Sequence, residues 1–445
     1  MKPALFPALL VLLATSLPGR AFYDVIGVYL TWQRDPATTM TVNWVNLYAE
    51  GAATIWYRPA GEKEWLSATG KQHVAAPSVL QVRRVELTGL LPDTIYQFVP
   101  GEQPPKPPAP AVAPASTPVA KKVDEEEVEK EWKPPVVPDT RSTYHFRTMP
   151  AELTRPVRFV AGGDMMHTRE MVDAMNKRAA ALDPDFALLG GDLAYANGAD
   201  AARWIDWMQS WMKNARGKGG RLIPMVVGIG NHEVRGGYKG RIPEDAPYFY
   251  GFFALPENRS YYALDFGRYL SFLVLDTGHT QPISGPQAEW LGGALTARAE
   301  QHFLFPVYHW PAYGTSKEPN GKLPSESKRS IEIRNQWIPH FERHGVTAVF
   351  ENDHHNYKRT YPIRGHQRDD KTGLVYLGDG AWGVNTRTVP KDAWYLAKTE
   401  PRRHLYHVTL PLKGPVTVEA IDAKGVVFDK TSFVLPRTVP VAPAN

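Results

Sequence analysis

FALLGGDLAY, residues 186–195, is a run of four apolar residues closed by two glycines and an aspartate, with a tyrosine three positions further on. An unbroken apolar run of this length reads as a strand buried on both faces, unlike the alternation of a half-exposed strand. Polar residues immediately beyond it stand at the carboxyl end of that strand, and glycine there lets the backbone approach a neighbour or ligand closely.

The same design recurs along the chain. VRFVAGGD (157–164), PMVVGIGNHE (224–233), YLSFLVLDT (269–277), FLFPVYH (303–309) and VTAVFEND (346–353) are further apolar runs. Residues 170–182 and 204–212, between the first three, have helical spacing, and strand–helix alternation predicts a layered α/β domain. Five of these runs end in oxygen or imidazole donors: Asp164; Asp192 with Tyr195; Asn231, His232 and Glu233; His309; and Asp353 with His354 and His355. Carboxyl ends of strands in an open α/β sheet converge on one crevice. A single Gly-Asp is uninformative, and the doubled histidine alone reads more readily as an exposed polar turn than as a pair of ligands. The series of five points to one metal-binding crevice.

The first third of the chain reads differently. Residues 39–44, 53–59, 81–90, 94–99 and 143–148 are short β-branched and aromatic stretches between turn signals, which predicts an antiparallel β-sandwich. Within it, LLPDTIY (90–96) carries the L-x-P-x-T-x-Y pattern of fibronectin type III-like domains, whose tyrosine hydroxyl ties back to nearby backbone. Residues 101–141 are proline-rich and then strongly charged, the composition of a flexible insertion. Residues 1–21, with Lys2, an apolar run and small residues at Gly19 and Ala21, read as a signal peptide. The expected organisation is thus leader 1–21, sandwich 22–150 with its insertion, layered domain 151–436 whose last strands begin near His407, and a flexible tail 437–445. No later segment reads as membrane-spanning, and the leader predicts a secreted or periplasmic protein. The net charge of +5 includes Lys2 and Arg20 of the leader, and such a balance does not argue for nucleic acid. Cysteine is absent, which removes thiolates from the possible ligands.

In order and spacing, GDMM at Gly163, GDLAY at Gly191, GNHE at Gly230, the segment ending at His309 and NDHH at Asn352 resemble the motifs G-D-x-G, G-D-x-x-Y, G-N-H-[ED], V-x-x-H and G-H-x-H. These are the motifs of the calcineurin-like metallophosphoesterases, and the likeness is greatest to the purple acid phosphatases. GDGAWGVN (378–385) resembles a late glycine-rich loop of that family. The resemblance implies an α/β/β/α phosphoesterase domain behind the sandwich and two metal ions. Fe(III) would be held by Asp164, Asp192, Tyr195 and His355. A divalent ion (Zn, Mn or Fe) would be held by Asp192, Asn231, His309 and the residue at the first histidine position of the last motif. It further implies His232 as the catalytic residue facing substrate, with Glu233 orienting it, and hydrolysis of phosphate monoesters by metal-activated hydroxide. A phosphodiesterase on the same scaffold, or a non-catalytic metal-containing surface-binding protein, are the alternatives.

Two positions depart from the pattern. Asp353 stands where the family has a histidine, a harder ligand that favours Mn(II), Fe(II) or even Ca(II); the alternative is that His354 swings in as the ligand. Met166 stands where glycine is usual, either narrowing the pocket or packing beneath it. His167 is expected beside the ions or the substrate, not as a ligand.

Overall fold

A computed structural model describes residues 25–47, 51–105, 142–237, 242–316, 323–390 and 392–434. The expected leader and tail, and all but the first few residues of the insertion, lie outside the described residues.

The sandwich has two four-stranded sheets. In spatial order, one contains Gly27–Thr31, Met40–Asn46, Gln81–Leu87 and Lys71–Val74, and the other Leu66–Thr69, Thr54–Pro59, Ile95–Pro100 and Tyr144–Arg147. All their pairings are antiparallel. The strands Leu66–Thr69 and Lys71–Val74 were not legible in the sequence because both are polar and largely exposed, with no alternation of apolar residues to mark them. Tyr96 forms the expected corner, its hydroxyl accepting a hydrogen bond from the Leu91 N–H at 2.9 Å.

One sheet of the sandwich is covered on its second face by the rest of the chain. Trp32 packs edge-on against Phe186 and Phe266, at centroid distances of 6.0 and 5.6 Å, and Tyr29 donates to the Phe252 carbonyl at 2.6 Å. Met40–Asn46 is therefore buried along its whole length, and one hydrophobic core runs through both parts of the chain.

Beyond the sandwich, two mixed sheets face each other. The six-stranded sheet runs Met225–Val227, Phe186–Leu189, Val157–Gly162, His404–Leu410, Val416–Asp422, Val427–Phe433. The seven-stranded sheet runs Tyr262–Phe266, Leu270–Val274, Phe303–Val307, Val349–Phe350, Tyr376–Gly378, Tyr357–Thr360, Leu396–Glu400. Phe159 of the first sheet meets Phe272 and Phe305 of the second at 5.3 and 6.0 Å, which locks the sheets face to face. Helix Arg169–Ala181 packs on His404–Leu410 of the six-stranded sheet. Helices Pro286–Thr296, Lys328–Gln336 and Ile338–His344 bury Leu291, Ile333 and Phe341 with Leu275, Leu304 and Val349 of the other. This is the expected α/β/β/α layering.

The strands that carry the candidate ligands are shorter than their apolar runs. Asp164, Asp192, Tyr195, Asp353 and His355 all adopt left-handed backbone, with φ of 57°, 53°, 55°, 75° and 61°. Each such turn ends pairing and costs about 1 kcal/mol or more in a non-glycine residue, strain that persists only where the surroundings fix it.

Removing the corner hydroxyl with Tyr96→Phe leaves the Leu91 N–H without its acceptor. The expected loss is about 1 kcal/mol of stability, read as a shift of the denaturation midpoint with an unchanged slope; no shift would mean the corner carries no stability.

Candidate metal centre

The five strand ends meet at one buried point. The ligand atoms of Asp164, Asp192 and His309 lie within 4.8 Å of one another, and all three residues are fully buried. On one side, Asp164 Oδ1 lies 3.1 Å from both the Tyr195 hydroxyl and His355 Nε2, which are themselves 3.0 Å apart. On the other, His309 Nε2 stands 3.1 Å from Asn231 Oδ1, 3.3 Å from Asp192 Oδ2 and 3.4 Å from Asp353 Oδ1. All seven residues proposed as ligands are thus brought together, Asp192 between the two groups.

These donors carry more negative charge than the protein around them neutralises. Burial pulls the His309 imidazole down, yet Asp192 and Asp164 outweigh it and hold the ring well above its ordinary value. Burial, then Asp164 and Asp192, push the Tyr195 phenol well above its ordinary value too. Without an ion, the centre keeps protons on His309 and Tyr195. Carboxylate, phenolate and amide oxygens with two imidazoles are the donors that hard trivalent and borderline divalent ions take, so the residues present fit two such ions.

Backbone and neighbouring side chains fix each donor. His309 Nδ1 faces the Gly190 carbonyl at 2.9 Å, and His355 Nδ1 faces the Asn385 carbonyl at 3.2 Å, which aims each Nε2 at the centre. Asp164 Oδ2 accepts the Asp353 N–H at 2.9 Å. A Cβ on Gly380 would overlap that same oxygen, which explains the glycine of the late loop.

His232 lies on the rim, its side chain 31% exposed, stacked on the Tyr195 ring at 4.2 Å with Nε2 3.8 Å from Asp192 Oδ2. The expectation that Glu233 orients it is wrong. Asn197 Oδ1 holds His232 Nδ1 instead. Glu233 is fully buried and accepts the N–H groups of Asp192, Leu193 and Gly230 at 2.7–2.8 Å, stapling the Asp192 turn to the Asn231 turn. Burial, then Asp192, push its carboxyl up to about 8, against those donors.

Met166 is buried in the hydrophobic core and so packs beneath the centre. His354 turns Nδ1 toward the N–H groups of Thr315 and Ser316, and burial takes its imidazole down to about 3. His167 Nδ1 accepts the Asn385 N–H at 3.1 Å, and its ring lies against Tyr195 and His355. Burial, then His355, take it down to about 4.

Sequence reading missed several supports. Asn352 fills the space over Gly163 and Gly190, where a Cβ would collide with its amide. Arg203 donates to the carbonyls of Met166, His167 and Ala194, tying the Asp164 turn to the Tyr195 turn. Arg387 brings Nη2 to 3.4 Å from His355 Nε2, and its backbone N–H is held by Asn356 Oδ1. Only the glycine pairs hinted at any of this, because each marks a close approach without naming its partner.

Residues 25–110 match the family model of the purple acid phosphatase N-terminal domain, and residues 157–357 that of the calcineurin-like phosphoesterases. The chain belongs to the purple acid phosphatase-like members of the calcineurin-like phosphoesterases. Two uncharacterized proteins of Mycobacterium tuberculosis, from strains CDC 1551 and H37Rv, are each 26% identical to this chain over 400 residues, 82% of its length. It spans 65% of the length of those relatives. A purple acid phosphatase from yellow lupin (Lupinus luteus) seeds shares its fold, with a TM-score of 0.69 and 16% identity over 91% of this chain and 73% of the lupin chain. The family and the buried Asp164, Asp192 and His309 cluster together imply a dinuclear metal site.

Glu233→Gln keeps the shape of the staple but turns an amide N–H₂ toward at least one backbone N–H. The expected outcome is a loss of about 1–3 kcal/mol in the ion-free chain, with weaker ion binding through Asp192. Wild-type stability and affinity in this variant would show that Glu233 does not hold the two turns.

Proposed function

We propose that this phosphoesterase is an exported binuclear-metal hydrolase of phosphate monoesters. The observation that carries the reading is the convergence of three carboxylates, a phenol, an amide and two imidazoles on one buried point with His232 at its rim. Asp164, Asp192, Tyr195 and His355 would hold Fe(III), and Asp192, Asn231, His309 and Asp353 a divalent ion (Zn, Mn or Fe). The ions would supply Lewis acidity toward the phosphoryl oxygens and lower the pKa of water at the centre.

The chain's own residues do the rest. His232, with Nδ1 engaged by Asn197, directs Nε2 toward the centre, where it protonates the departing oxygen or bonds the phosphoryl group. His167, whose Nδ1 is an acceptor, carries its ring proton on Nε2 and offers a neutral donor beside Tyr195. Arg387 has no carboxylate partner among the described residues, and its guanidinium stands at the mouth of the centre, suited to a phosphoryl oxygen. A mouth with a cation and two imidazoles favours the doubly charged monoester over the singly charged diester. Export rests on the leader sequence of residues 1–21; among the described residues no helix is long and apolar enough to cross a membrane.

Paired assays of purified, metal-analysed protein on an aryl phosphate and a bis-aryl phosphate test the substrate class. Faster turnover of the monoester is expected, with a visible absorption band of tyrosinate on Fe(III) that Tyr195→Phe abolishes. Preference for the diester would replace the monoester reading, and a metal-free protein inert toward both would remove the enzyme.

A further inference from the structure

His354 makes two contacts that a ligand would not need. Its Nδ1 accepts the N–H groups of Thr315 at 2.9 Å and Ser316 at 3.1 Å. A ring nitrogen that receives two N–H donors carries no proton, so the ring proton is on Nε2. Nε2 stands 3.4 Å from Asp353 Oδ2, while Asp353 Oδ1 faces the centre, 3.4 Å from His309 Nε2.

The imidazole is fixed from every side. Trp310 packs edge-on against it at 5.4 Å, and Gly314 leaves a slot that a Cβ would close. The loop that presents the two N–H groups is pinned by buried charges. Ala312 N–H donates to Glu351 Oε1 at 2.7 Å, the Tyr313 carbonyl accepts from Lys358 Nζ at 2.6 Å, and Thr315 Oγ1 donates to Asp379 Oδ2 at 2.9 Å. Lys358 Nζ bridges Glu351 and Asp379, and all three side chains are 0% exposed. The Asp379 carbonyl accepts the His355 N–H at 2.8 Å, so the same pedestal supports the neighbouring ligand.

We infer that His354 is a positioning residue that holds Asp353 Oδ2 through Nε2–H, so that Asp353 offers the second ion a single oxygen, Oδ1. In most metal sites a carboxylate orients a ligating imidazole. Here the roles are exchanged, and a carboxylate is made to act as a one-atom ligand where a histidine would supply one nitrogen. Calcium favours shells of about 6–8 oxygens and often fills them by taking both oxygens of a carboxylate. The restraint therefore selects the smaller Mn(II), Fe(II) or Zn(II) against Ca(II). This inference rests on the binuclear reading of the centre.

The test is ion binding by the full chain, with no assay of turnover: calorimetric titration of ion-free protein with Zn(II) or Mn(II), and metal content after equilibration with Mn(II) and Ca(II) together. His354→Leu is expected to weaken the second ion about 10–100-fold, leave the first unchanged and raise the share of Ca(II). His354→Asn, a smaller change that withdraws the donor, should act in the same way if the leucine variant does not fold. His354→Gln, whose amide can accept from the loop and donate to Asp353, should stay nearer wild type. In an Asp353→Ala background His354→Leu should have no further effect. Wild-type affinity in both His354→Leu and His354→Asn, equal weakening of both ions, or a His354 effect that persists without Asp353 would each overturn the inference while leaving two bound ions in the wild type. A wild-type chain that binds no ion would overturn the binuclear reading itself, and this inference with it.

Discussion

Mutual repulsion among Asp164, Asp192 and Asp353 is the constraint on which the rest of this structure depends. Three carboxylates and the Tyr195 phenol share a point from which water is nearly excluded, with Asp164 and Asp192 at 0% and 1% exposure. Isolated charges buried in this way cost many kilocalories per mole unless positive charge answers them. Protons on His309 and Tyr195 answer part of it in the ion-free chain. The ions proposed for the centre would answer it more fully, and in doing so would convert the two protonated groups into ligands.

The scaffold is built to keep that repulsion from being relieved by movement. Left-handed backbone at five donors turns each side chain sharply off its strand, and neighbouring groups then hold the turns. Glu233 holds two turns through three N–H groups, Arg203 ties two more through carbonyls, and Asn352 wedges beneath the glycine pairs. Below the last motif, Lys358 between Glu351 and Asp379 is a second buried ionic unit that supports the Asp353–His355 turn. Preorganisation of this kind lets ions bind without the chain reorganising around them.

Much of the fold, and the gathering of the candidate ligands at one crevice, was legible because both follow from local sequence. Unbroken apolar runs such as Phe186–Leu189 mark strands buried on both faces, and the polar residues beyond them mark the crevice. The strands at Leu66 and Lys71 carried no such signal, since edge strands with mixed polarity look like loops. The supports of the centre were not legible either. Asn197, Arg203 and Arg387 act through contacts between segments distant in the chain that their own neighbourhoods do not announce, and Asn352, though it stands in the last motif, carries no sign there of the glycines it packs on. Glu233 shows the same limit from the other direction. Its adjacency to His232 suggested a partnership, whereas the tight turn at Asn231 sends its carboxylate the opposite way, into the Asp192 loop.

Replacement of protons by positive ions at this centre is measured directly by proton release on metal binding. Calorimetric titration of the ion-free chain near neutral pH, repeated in buffers of different ionisation enthalpy, gives both the number of ions bound and the protons expelled. Two ions per chain are expected, with at least two protons released, from His309 and Tyr195. A binding heat that does not depend on the buffer, or a chain that takes up no ion, would contradict that expectation.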